Sequence, residues 1–408
     1  MNYTRQEVMQ FVKEEDVKFI RLTFCDVFGR LKNISIMDNE LERAFNVGIA
    51  IDASAVDGFG DEAHSDLFLH PDPDTLAILP WRPEHGRVVR MFCAITYPNG
   101  DSFESDTRRI LIDAVKTAKD KGYEFAFGPE IEFYLFKLDE HGNVTDTPYD
   151  NAGYMDMIPY DRGENIRREI CLTLEQMGIY PESSHHEEGP GQNEIDFRYS
   201  DPVSAADNAM TFKSVVNAVV FHNGVGVSFA PKPIKDKAGN GFHINMSVHS
   251  NNGEKSEDVV KSAIAGVLKH VSEMTAFLNT TDESYKRFGV NKAPKYISWS
   301  FENRSQLIRV PAYRSDEYGR MELRSPDPSA NPYIAFALII YAALDGIEHG
   351  YNLSKPCNVN LFTADEETKA HYKTLPLTLA DANASAKASG FIKRCLPKSV
   401  IETYVNRK

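Results

Sequence analysis

Residues 124–136 read Glu-Phe-Ala-Phe-Gly-Pro-Glu-Ile-Glu-Phe-Tyr-Leu-Phe. Successive side chains of an extended strand face opposite ways, so Glu130 and Glu132 share one face while Ile131 and Phe133 share the other. Two carboxylates placed side by side repel unless a cation lies between them, and a divalent metal is one explanation of the pattern. A solvated strand face is the other, since alternating strands commonly expose polar residues.

Three segments further along bear on that choice. Residues 185–197, His-His-Glu-Glu-Gly-Pro-Gly-Gln-Asn-Glu-Ile-Asp-Phe, place acids around a Gly-Pro-Gly turn. Two strands bent there bring Glu187 and Glu194 together, unless the segment is simply an exposed acidic loop. In 239–247, Gly-Asn-Gly-Phe-His-Ile-Asn-Met-Ser, the residues His243, Asn245 and Ser247 alternate onto one face. The glycines, Gly239 among them, let backbone approach a ligand closely. A lone strand histidine is more often structural than a ligand. Finally, Arg287, Arg304, Arg309, Arg314, Arg320 and Arg324 fall within 38 residues, with Glu322 between the last two. A planar guanidinium bonds two oxygens at once, so this local basic run suits phosphates and carboxylates. Alternation of Glu322 with Arg320 and Arg324 on one strand face argues against a merely salt-bridged surface.

The rest of the chain supplies the frame. At 408 residues, with 42% hydrophobic and 25% charged composition, two packed domains are expected. The net charge of −14 repels polyanions, which excludes a general nucleic-acid or anionic-membrane surface and requires a local basic pocket for any anionic ligand. The N-terminus lacks a secretory pattern, the apolar run 333–344 is too short to span a bilayer, and five scattered cysteines without a CxxC pair read as reduced cytoplasmic thiols. Alternation of Ile20, Leu22 and Phe24, followed by Phe28-Gly29-Arg30 and a run with Ile34 and Ile36, predicts a hairpin. A strand over 88–96 runs into the turn cluster Tyr97-Pro98-Asn99-Gly100-Asp101, a plausible boundary. Beyond it, helical faces stop at Gly122 and Gly178, and Asn331 with Pro332 opens an apolar helix reaching about Asp345. The fold class is α+β, with a sheet as the platform for chemistry.

These four segments, in this order, resemble the signature blocks of glutamine synthetases, the bacterial type I enzymes in particular. Also similar are 17–36 to the family's first hairpin, 52–59 (DASAVDGF) to its amine-site loop, and 229–233 (FAPKP), 303–305 (NRS) and 320–332 (RMELRSPDPSANP) to further blocks. The resemblance implies a β-grasp domain over 1–102 and a catalytic domain over 103–408, built on a curved antiparallel sheet flanked by helices. It implies a homo-oligomeric ring with active sites between neighbouring subunits. Its ligands would be glutamate, ATP, an amine and two or three Mg²⁺ or Mn²⁺ ions. Glu132, Glu187 and Glu194 would hold one metal; Glu130, His243 and Glu322 would hold the second. Arg287, Arg304 and Arg324, with Gly239, would face glutamate and the transferring phosphoryl group. Arg309, Arg320, Glu182 and Ser247 would surround the nucleotide. Asp52 would bind the amine and remove its proton, in a pocket shared with Tyr154 and Glu187.

Several positions depart from the family pattern. Where ammonia-using members carry a flap glutamate, this chain has Lys292, in a loop about one residue shorter. A cation there repels ammonium. Ala55 replaces a serine of the amine loop, Asn245 a usual histidine and Ala238 a usual asparagine. The expected reaction is therefore carboxylate activation by ATP, with an acceptor other than free ammonium, such as a larger amine whose anionic group meets Lys292. Phe362 stands where regulated relatives have an adenylylated tyrosine, so that control is expected to be absent. The family's long C-terminal tail is missing after Lys408, which predicts a single ring or loosely paired rings. Two alternatives stand beside the ligase: a guanidino kinase, which shares the catalytic architecture, and a catalytically impaired binding or regulatory homologue.

Overall fold

The computed structural model describes residues 3–61, 63–82, 84–312 and 319–407. Its packing divides the chain into two units, Met1–Ile110 with Cys171–Tyr180, and Leu111–Ile170 with Pro181–Lys408.

In the first unit, Thr4 and Glu7 close a reciprocal capping box on helix α1 (Arg5–Glu14), which buries Val8 and Val12. Strands β1 (Val17–Cys25) and β2 (Leu31–Met37) form the expected hairpin, with Leu22 opposite Ile34. Asp26 fixes its turn by accepting the Phe28 and Arg30 amides at 3.0 and 2.8 Å. Helix α2 (Leu41–Asn46) follows, then β3 (Ile49–Asp52), β4 (Asp66–Pro71), β5 (Ala77–Ile78) and β6 (Arg87–Thr96). The sheet order is β2-β1-β6-β4-β3, with β5 against β6 and β1 parallel to β6. This is a β-grasp arrangement of sheet and helix.

The second unit is organised by β7 (Tyr123–Leu138), the strand that contains the opening stretch. Around it lie β8 (Val144–Pro148), β9 (Pro181–His186), β10 (Gln192–Phe197), β11 (Gly226–Ser228) and β12 (Phe242–Ser250). The remaining strands are β13 (Trp299–Phe301), β14 (Ile308–Val310) and β15 (Arg320–Leu323). The main order is β13-β14-β15-β12-β7-β10-β9, with β8 and β11 also pairing β7. The sheet is mixed rather than wholly antiparallel, because β13 runs parallel to β14.

The helices of this stretch are, in chain order, α3 (Thr107–Asp120), α4 (Glu164–Gln176), α5 (Pro202–His222), α6 (Ser256–Leu278), the single turn α7 (Asp282–Tyr285) and α8 (Pro332–Glu348). Of these, α5, α6 and α8 pack on the apolar face of the sheet. Phe127 of β7 stacks on Phe336 of α8 at 4.3 Å, and Phe133 meets Phe212 of α5 edge-on at 5.9 Å. Aromatic burial of this kind contributes roughly 1.5–3 kcal/mol per side chain. Helix α8 begins where the sequence predicts, with the Asn331 side chain accepting the Tyr333 amide at 3.0 Å and Pro332 in the first turn. With one face of β7 committed to this core, its acidic face is left to the site.

Candidate functional site

Strand register sets the acids side by side. Glu194 of β10 lies opposite Glu132 of β7, and Asp196 opposite Glu130. On the other flank of β7, His243 of β12 lies opposite Glu130, and on β12's far side Asn245 lies opposite Glu322 of β15. His185 of β9 is opposite Glu194, and Arg309 of β14 opposite Glu322. A band of carboxylates, imidazoles and a guanidinium thus crosses six adjacent strands, because paired residues project on the same side of a sheet.

Each carboxylate has defined partners. His243 Nδ1 lies 3.2 Å from Glu130, whose other oxygen accepts the Asn245 amide at 2.7 Å. Glu132 accepts the Gln192 side chain at 2.9 Å and the Gly241 amide at 2.8 Å. His185 Nε2 bridges Glu187 at 3.0 Å and Glu194 at 3.3 Å. Glu322, fully buried, is clamped between Arg309 at 2.7 Å and Arg324, with His243 Nδ1 at 3.9 Å.

Electrostatics set these carboxyls apart. Burial raises Glu194 well above the usual carboxylate range, and Glu132, Asp196, Glu130 and Glu187 push it the same way. Burial, then the Glu130 charge, raises Asp196 to about 6. Burial acts upward on Glu187 too, but the His185, Glu194 and Glu188 hydrogen bonds together outweigh it and hold this carboxyl down at about 2. Mutual repulsion of buried like charges is what a divalent cation relieves.

The residues present fit such a cation. Ligand-capable atoms of Glu130, Glu194 and His243 converge within 4.8 Å, as do those of His185, Glu187 and Glu194. Donor sets dominated by carboxylate oxygen suit Mg²⁺ and Mn²⁺. A third cluster, Asp150, Asp161 and His186, is buried and internally satisfied: Asp150 bonds His186 at 2.9 Å, and Asp161 pairs with Arg167.

These groups open onto a cleft of about 380 Å³, lined also by Arg287, Arg304, Arg309 and Arg324. The Nε atoms of Arg287, Arg309 and Arg324 are buried without a hydrogen-bond partner, so the protein around them does not fully satisfy these guanidinium groups. Gly239 permits the close approach of Arg287: a Cβ there would sit 2.5 Å from the Pro231 carbonyl and 2.7 Å from Arg287 Cγ. Tyr154, Glu188, Asn291 and Lys292 complete the lining. Lys292, at φ +64°, pairs with Glu188, and its Nζ lies 5.5 Å from the Tyr154 ring centroid.

The structure therefore brings Glu130, Glu132, Glu187, Glu194, His243, Arg287, Arg304, Arg309, Arg324, Gly239, Tyr154 and Lys292 around one cleft. Glu322 joins them through its ion pairs. Ser247 and Arg320 lie opposite each other farther along β12 and β15, and Glu182 is exposed on β9; none of the three lines the cleft. Asp52 belongs to the first unit. Bonds from the Ser54 hydroxyl and amide, at 2.6 and 3.0 Å, lower its pKa and keep it anionic. Arg314 lies outside the described residues. The sequence reading passed over His185, Gln192, Asp196 and Glu188. The first three alternate or pair with residues it had singled out, so strand parity through 183–196 was the signal available.

Comparison with known proteins agrees with this geometry. Residues 16–98 match the glutamine synthetase β-grasp domain, and residues 104–408 match the glutamine synthetase catalytic domain. The chain is 43% identical over 420 residues to the glutamine synthetase of Clostridium saccharobutylicum, covering 100% of this chain and 94% of that protein. It is likewise 43% identical over 418 residues to that of Methanosarcina mazei, covering 99% and 93%. A solved GmaS/ADP complex superposes with a TM-score of 0.88 at 26% identity, covering 100% of this chain and 94% of that one. Both domain types occur in order, and the likeness runs the length of the chain; the protein belongs to the glutamine synthetase family, the ATP-dependent glutamate–amine ligases.

Proposed function

We propose that this ligase works through γ-glutamyl phosphate and that its preferred acceptor is not free ammonium. The observation that carries the second statement is a lysine, Lys292, in the cleft lining at the place where the family pattern has a flap carboxylate.

Glu132, Glu187 and Glu194, with His185 bridging the last two, form one cation site, and Glu130, His243 and Glu322 form the other, for Mg²⁺ or Mn²⁺. Bound there, the cations supply charge neutralisation for the ATP phosphates. Arg287, Arg304 and Arg324 hold the glutamate carboxylates and the moving phosphoryl group, where their fixed donors stabilise developing charge without reorganising. Arg309, Arg320, Glu182 and Ser247 serve the nucleotide. The glutamate γ-carboxylate attacks the γ-phosphorus, the bond to ADP breaks, and the acyl phosphate forms. The amine then attacks the acyl carbon and phosphate leaves. Asp52, held anionic by Ser54, binds the incoming amine and takes its proton, and Tyr154 lines the acceptor's path.

Functionally the chain divides into 1–102 and 103–408. The active protein is a ring of identical subunits with sites between neighbours, and its five free thiols suit the reducing cytoplasm. Among the described residues, no helix is long and apolar enough to cross a membrane. ADP release measured with glutamate, Mg²⁺ and a series of amines tests the acceptor reading. An organic amine is expected to give the highest kcat/KM, and ammonium giving it overturns the reading.

A further inference from the structure

We propose that the acceptor is a zwitterion, an amine carrying its own carboxylate, and that it binds by exchanging partners with the Lys292–Glu188 ion pair. This rests on the reading that free ammonium is not the preferred acceptor, and it names the chemical class.

Lys292 and Glu188 both line the cleft beside Tyr154 and Arg304. They come from segments 104 residues apart and meet in an ion pair whose side chains are 52% and 36% exposed. The Glu188 amide donates to the Glu187 carboxylate at 2.9 Å, which ties this carboxylate to the acid cluster. On the other side, Asn291 and Lys292 both occupy the left-handed region, at φ +46° and +64°. Asparagine adopts that conformation readily, whereas for Lys292 the Cβ makes it sterically unfavourable. Two in succession define a tight loop from which the half-exposed lysine reaches Glu188 and the Tyr154 ring.

Charge bookkeeping then selects the ligand. A simple alkylamine or ammonium ion adds a second cation beside Lys292, and like charges in such proximity repel. An anion alone captures Lys292 but strands Glu188 next to Glu187. A zwitterion satisfies both: its carboxylate takes Lys292, its ammonium takes Glu188 until Asp52 removes the proton, and no charge is left unpaired. Splitting the resident pair is cheap, because solvent screens an ion pair whose side chains are this exposed. The resident charges are in direct contact, so the acceptor's own charges must lie close together, as in an α- or β-amino acid. A diamine or polyamine offers Glu188 a cation but gives Lys292 nothing.

The test measures ADP release by the purified oligomer with glutamate, Mg²⁺ and ammonium, ethylamine, 1,4-diaminobutane, glycine or β-alanine in turn. An amino acid should exceed ethylamine by at least about 10-fold in kcat/KM. Lys292→Glu should raise the KM for that amino acid by about 30-fold with a smaller change in kcat, and should improve ammonium. The charge swap Lys292→Glu with Glu188→Lys should recover much of the loss; both side chains are half-exposed, so unfolding does not mimic the result. Ethylamine or the diamine winning overturns the zwitterion proposal while leaving the non-ammonium reading intact. Ammonium winning, or no amine releasing ADP, overturns both.

Discussion

Glu322 shows how a single buried charge is held in this site. Burial acts to raise its pKa, but Arg324, His243 and Arg309 outweigh burial and hold the carboxyl at about 2, against an ordinary 4.5. A carboxyl depressed on folding stabilises the folded state fully above the unfolded value and loses that contribution as pH falls through the folded one. Glu322→Gln should therefore destabilise the protein by about 3 kcal/mol near neutral pH, since the buried Arg324 and the half-buried Arg309 lose their counter-charge. The gap from the parent should narrow between pH 4.5 and 2. Urea unfolding across that range checks it, and a gap independent of pH would contradict the assignment. At this scale, parity made Glu130 and Glu132 legible on one face of β7. Parity with Glu187 likewise assigns His185, rather than His186, to the cleft, where it meets Glu187 and Glu194. What parity could not supply is the partner of His186, which turns inward to Asp150, 36 residues away.

Helix α8 was readable because its start is a local matter: Asn331 and Pro332 cap it whatever lies behind. Asn331→Ala should cost about 1 kcal/mol, measured by thermal unfolding. Its packing was not readable. A Cβ on Gly346 would lie 2.1 Å from the Ser262 carbonyl and 2.8 Å from the Gly266 Cα of α6, and one on Gly266 would lie 2.1 Å from the Ala342 carbonyl. Helix propensity alone predicts that Gly346→Ala stabilises by about 1 kcal/mol. The contact with backbone predicts instead a loss of about 2–3 kcal/mol, because neither helix can yield locally. A higher melting temperature in that variant would show the two helices to be farther apart than described. The parallel pair β13–β14 escaped the sequence for the same reason, since pairing partners across the sheet leave no mark on either short strand.

For the whole molecule, the acidic balance and the basic cleft are two parts of one arrangement: a chain of net charge −14 gathers Arg287, Arg304, Arg309 and Arg324 around clustered carboxylates. Divalent cations should stabilise the folded state accordingly. Mg²⁺ at 100 times its dissociation constant should add about 2.7 kcal/mol, seen as a rise in melting temperature that EDTA reverses. An unchanged melting temperature would argue against the cation sites. The central claim is that the cleft activates the γ-carboxylate of glutamate as an acyl phosphate. It is tested most directly with glutamate carrying ¹⁸O in that carboxylate, turned over with ATP, Mg²⁺ and the best acceptor. One labelled oxygen should appear in each inorganic phosphate released, because the oxygen that attacks phosphorus departs with it. Phosphate released free of label would contradict the account.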